Sequence, residues 1–120
     1  MAVTAKRAQA LALSLENTSS SPHFDRLAFR TPRRTFATLA RDGGDLNLML
    51  EPEQQRHFCA LAPGALAPVA GGWGRMGWTR CELSAIDVAT FKSALAAAHA
   101  HANAPPAKRT RKRATGTRTR

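Results

Sequence analysis

Apolar and polar residues alternate with different periods along this chain, and each period predicts its own element. From residue 4 to residue 15 there is no Gly or Pro, and Ala8, Leu11, Ala12 and Leu15 recur at helical spacing among good helix formers. A first helix with one inward face follows. Asn17 to Pro22, with three consecutive serines, reads as the break after it. Between His23 and Leu50 the period falls to two. Leu27 and Phe29 alternate with Ala28 and Arg30, residues 36–40 form a second such run, and Leu46, Leu48 and Leu50 form a third. Pro32, Arg33 and Arg34 separate the first two runs, and residues 42–45 with Gly43 and Gly44 separate the last two, so an antiparallel meander is expected. Leu46, Leu48 and Leu50 are expected to face the core.

Pro52 and Glu53 open a second helix, which Pro63 and Gly64 stop. Residues 66–72 carry Pro68, Gly71 and Gly72 and predict an irregular edge strand. Residues 73–78 read as a tight turn into a strand over 78–83, with Thr79, Cys81 and Leu83 on one face and Trp78, Arg80 and Glu82 on the other. Ser84 to Asp87 resembles a capping box, and a third helix with Val88, Phe91, Leu95 and Ala98 as its stripe runs to about Asn103, before Pro105 and Pro106. The expected order is α-β-β-β-α-β-β-α. It predicts an α+β domain over 1–104, with a mostly antiparallel sheet and helices packed on one face.

Charge adds a second division. All eight acidic residues and eleven of the 18 basic ones lie within 1–104, leaving that body with a net charge of +3, while the last thirteen residues hold the other seven, among them Lys108, Arg109, Arg111, Lys112 and Arg113. Residues 105–120 lack large apolar groups and predict a disordered basic tail that attracts polyanions by charge alone. Full neutralisation of seven phosphates would give a log–log salt slope of about −6 as an upper limit. The residues that follow Lys6 and Arg7 are too short and too polar an apolar stretch for a signal peptide, and no apolar run suits a membrane helix, so a cytoplasmic protein without a membrane partner is expected. Cys59 and Cys81 match neither a disulfide framework nor a zinc pattern and read as idle thiols in a reducing compartment.

Pro22, His23 and Phe24, then Arg26 with Ala28, Phe29 and Arg30, the strand from Phe36 to Leu39, and above all the run Gly72, Trp73, Gly74, Arg75, Met76, Gly77, Trp78 and Thr79 resemble the MmcQ/YjbR family over about residues 10–102. The resemblance implies a small bacterial cytoplasmic protein with a frataxin/CyaY-like α+β fold and DNA binding through a double wing of two β-hairpins. The basic tail lies outside the family pattern.

The residues themselves bear on that implication. Gly74 and Gly77 are expected to supply positive φ in the turn, with the two indoles either clamping the hairpin or stacking on bases. Arg30, Asn47, Met49, Trp78 and Arg80 would share the sheet face away from the helices, which suits nucleic acid, although Arg80 and Glu82 would equally form an ion pair there. Arg33 and Arg34 at one turn and Arg75 in the other provide the basic tips that wings require.

His99 and His101, two apart on a helix, point about 200° apart and cannot share a metal. His57 and Cys59 are similarly misplaced, and His23 reads as capping or packing. The iron chemistry of frataxin-like proteins is associated with an acidic ridge, for which the first helix offers only Glu16. No nucleophile has a recognisable partner, so neither catalysis nor a cofactor is expected. The leading expectation is a non-enzymatic nucleic-acid-binding protein, with DNA the expected partner. Its rival is a protein-interaction or ligand-binding adaptor.

Overall fold

A computed structural model of the chain describes residues 2–104. The tail at 105–120, and with it Lys108, Arg109, Arg111, Lys112 and Arg113, lies outside the described residues. Helix α1 (Ala5–Leu13) starts where the Thr4 hydroxyl accepts a hydrogen bond from the Arg7 amide, and its Ala8 and Ala12 are buried. Four strands follow as a meander: β1 (Ser19–His23), β2 (Arg26–Arg30), β3 (Thr35–Ala40) and β4 (Asp45–Met49). Helix α2 (Pro52–Leu61), edge strand β5 (Leu66–Pro68), the single-turn helix α3 (Gly72–Met76), β6 (Trp78–Glu82) and α4 (Val88–Asn103) complete the chain. The sheet order is β1-β2-β3-β4-β6-β5 and every pairing is antiparallel. This is an α+β fold.

The structure adds two elements to the expected order. The serine-rich break contains β1, whose five residues are all exposed, so no apolar alternation announces it. It is held by its ladder to β2 across the two-residue turn Phe24 and Asp25. The glycine-rich link between β5 and β6 is a helical turn rather than a tight β-turn.

The cap of α4 also moves. Asp87 itself accepts from the Thr90 amide at 3.3 Å, three residues beyond the expected serine. Hydrogen bonding by the Thr90 side chain, and then by its amide, holds the Asp87 carboxyl below its ordinary value.

One core lies between the sheet and the three longer helices. Leu46, Leu48 and Leu50 are fully buried, as are Phe29, Phe36, Cys81 and Phe91, while Ala8, Phe58 and Leu95 bring α1, α2 and α4 into the same cluster. Phe36 is the extra residue where the β2–β3 register slips: Phe29 pairs with Ala37 but Arg30 with Thr35. Its ring meets that of His99 on α4 edge-on, centroids 5.3 Å apart. The His99 ring also lies 2.8 Å from the Glu16 carbonyl. Burial pushes the Cys81 thiol up to about 12, and raises that of Cys59 as well.

Candidate nucleic-acid interface

The sheet face away from the helices is where the expected site residues gather. Arg26, Ala28 and Arg30 alternate onto it from β2, Asn47 and Met49 from β4, and Trp78 and Arg80 from β6. The helix α3 is pinned to this sheet from behind. Gln55, buried on α2, donates through Nε2 to the carbonyls of Gly74 and Trp78 and to the Thr79 hydroxyl, which in turn donates to the Gly77 carbonyl.

Gly77 alone of the expected pair has positive φ, at 119°. Gly74 is required for a different reason: a Cβ there would sit 1.9 Å from the Val69 carbonyl oxygen. This tight backbone packing sends both indoles to the open side. Trp73 is 62% exposed and Trp78 half-buried, so the indoles do not clamp the link by burial.

Between these indoles and the middle strands lies a groove of about 260 Å³, whose walls include His23, Arg26, Thr38, Asn47, Trp73 and Trp78. A larger hollow of about 440 Å³ lies beside α1 near Leu27 and Leu39, but no aromatic ring lines it.

Arg26 is fixed at the groove floor. Its Nε donates to the Thr38 hydroxyl at 2.9 Å, and its Nη2 donates to the Thr38 carbonyl at 2.9 Å and to Asp45 at 2.7 Å. The other oxygen of Asp45 lies 3.6 Å from Arg80, which donates to Glu82 at 2.8 Å. The Glu82 hydrogen bond, then the Asp45 charge, raises the pKa of Arg80 above its ordinary value. Arg80, expected as a phosphate contact, is therefore compensated by two internal partners.

Antiparallel topology sorts the remaining charges. Arg30 pairs with Thr35, Met49 with Trp78 and Pro68 with Thr79, so the β2–β3 turn and the β5–β6 link project from the same end of the sheet. Arg30, Arg33, Arg34 and Arg75 thus share one end, and none makes an ion pair among the described residues. The compensated arginines and Asp45 sit at the other end.

The two-wing arrangement does not hold in detail. The β2–β3 turn is a compact loop in which the buried Thr31 hydroxyl accepts from the amides of Arg33 and Arg34. Arg75 rides on α3 rather than on a hairpin tip.

The α4 C-terminus reaches this end too. Burial, and then the nearby Arg34 charge, lowers the pKa of His101, against a smaller opposing pull from Glu51 at the same end. A His whose pKa falls on folding binds its proton less readily in the native than in the unfolded chain, so stability declines as pH drops below about 6.5, its ordinary value. We expect the thermal midpoint to fall between pH 7.5 and 5.5 more in the wild-type chain than in His101→Gln. Equal losses would remove His101 from the account.

Among the described residues no group of three His, Cys, Asp or Glu side chains is placed to hold a metal ion, and no helix is long and apolar enough to cross a membrane. The chain's sequence hid part of the site. Asp45 and Thr38 join Arg26 only through strand register, and Trp73 reaches the groove only because the link is helical.

No family model matches the sequence, and no curated protein matches it. The fold is similar to the crystal structure of Deinococcus radiodurans protein DR2400, which carries the family-model domain DUF419, with a TM-score of 0.67 over 80% of this chain and 75% of that one at 17% sequence identity. The chain therefore shares its small α+β fold with a DUF419 protein.

Proposed function

We propose that this chain is a cytoplasmic, non-enzymatic nucleic-acid-binding protein that grips the phosphate backbone from one end of its sheet. The observation that carries this reading is the segregation of charge: Arg30, Arg33, Arg34 and Arg75 converge at one end without acidic partners among the described residues, whereas Arg26 and Arg80 are neutralised at the other. Four guanidinium groups that form no ion pair among the described residues, beside an exposed indole, suit phosphates flanked by bases. The run Trp73–Thr79, through which the chain resembles the MmcQ/YjbR family, supports membership of that family, while DR2400 supplies a shared fold and no activity.

DNA is the first ligand to try, with the basic segment after residue 104 adding affinity independent of sequence. The test is an affinity series for a DNA oligonucleotide across salt concentrations with the full chain. Affinity should fall linearly on a log–log plot, with a slope of at least about −3 from the body's contacts alone. A flat profile, or no binding at low salt, would leave the adaptor reading, in which the exposed Trp73 and Met76 contact a protein.

A further inference from the structure

Both tryptophans of the chain line the same open-face groove, and two polar side chains beside them are unspent. Neither the Asn47 carboxamide nor the His23 imidazole hydrogen-bonds to another described residue. Arg26, by contrast, is tied down by Thr38 and Asp45, so it shapes the floor without folding over the indoles. At about 260 Å³ the groove is smaller than the roughly 300 Å³ at which pockets for drug-sized molecules begin, and it suits one planar ring system. Beyond His23, Phe24 continues the aromatic line. It is 89% exposed, is held at φ 58°, and meets the His23 ring edge-on with centroids 4.8 Å apart. A bulky residue at positive φ with its ring in solvent is costly to keep for folding alone.

We propose that this groove receives one unpaired base of a single-stranded nucleic acid, stacked on Trp73 and Trp78, with Asn47 and His23 facing the base edge. The proposal rests on the nucleic-acid reading above and narrows it to unpaired strands. Bases within a duplex are stacked on each other and offer an indole no face, whereas an unpaired base offers one without cost in pairing energy. The strand's flanking phosphates then fall toward Arg30 and Arg75 at the uncompensated end of the sheet.

Intrinsic fluorescence tests this directly, because the chain has no Tyr and both emitting indoles lie in the groove. The full chain is titrated at about 50 mM salt with an oligothymidylate of about twelve nucleotides, and separately with a mixed-sequence duplex of the same length. The single strand should quench the emission and bind about tenfold more tightly than the duplex. Trp73→Ala, which removes a mostly exposed side chain, should leave the thermal midpoint unchanged and lower single-strand affinity about tenfold, several-fold more than it lowers duplex affinity. Equal affinities without quenching, or equal losses for both ligands in the variant, would overturn the base-binding groove and leave backbone binding standing. Binding of neither ligand would overturn the nucleic-acid reading and the groove with it.

Discussion

Gly77→Ala is expected to destabilise the fold by roughly 4 kcal/mol, combining a backbone conformation that side chains rarely adopt with a steric collision. The residue has φ 119°, and an added Cβ would stand 1.9 Å from the Leu50 carbonyl oxygen. Neither problem relaxes independently. The Leu50 amide donates to the Gly77 carbonyl at 2.9 Å, so moving β6 away from the end of β4 breaks the bond that closes the sheet there. At the scale of a domain of about 100 residues, such a loss lowers the thermal midpoint by on the order of 20 °C. Gly64→Ala supplies the contrast, since nothing lies within 4 Å of its added Cβ and its φ is not positive. It should be neutral, or stabilising by about 0.5 kcal/mol through the unfolded chain. Thermal melts of the two variants check this, and similar midpoints would show that the Leu50–Gly77 junction is not the constraint described.

The second large effect concerns binding. Removing Arg33, Arg34 and Arg75 together by alanine substitution should lower affinity for any nucleic acid several hundred-fold near 0.1 M salt, because each lost phosphate contact forfeits about 0.9 log units there by counterion release. The salt slope should shrink by about 2.7 over the same series. Arg33 and Arg75 are exposed and Arg34 is half-buried, and none anchors the core, so the variant should fold. Arg80→Ala is the internal control. Its guanidinium already faces Asp45 and Glu82, and its loss should change the salt slope little. An Arg80 effect equal to the triple substitution would place the binding surface at the wrong end of the sheet.

What the sequence made legible, and what it did not, has a physical division. Period-two alternation put Leu46, Leu48, Thr79 and Cys81 on one face and Asn47, Trp78 and Arg80 on the other, and the ladders keep that assignment because a strand's faces follow from its own residues. The start of α2 was readable from Pro52, which needs no amide partner, whereas α1 showed only as a run of helix formers and its Thr4 cap is visible only in the structure. β1 was not, because Ser19–His23 owes its strand conformation to β2 rather than to buried side chains. The helical turn α3 was hidden behind Gly71, Gly72, Gly74 and Gly77, whose composition reads as a turn while the Gln55 bonds impose a helix. The ion-pair network depends on register. Asp45 lies opposite Glu82 and one strand away from Ala40, itself opposite Arg26, a juxtaposition that no spacing along the chain reveals.

The most direct test removes the basic extension and asks the folded body to act alone. A chain ending at Ala104, confirmed as folded by its thermal transition, should still bind a DNA oligonucleotide at low salt, with a slope of about −3.6 that Arg33→Ala, Arg34→Ala and Arg75→Ala together cut to about −0.9. A folded 2–104 body that ignores the oligonucleotide at the lowest salt tested would contradict the account and assign all affinity to the residues beyond it.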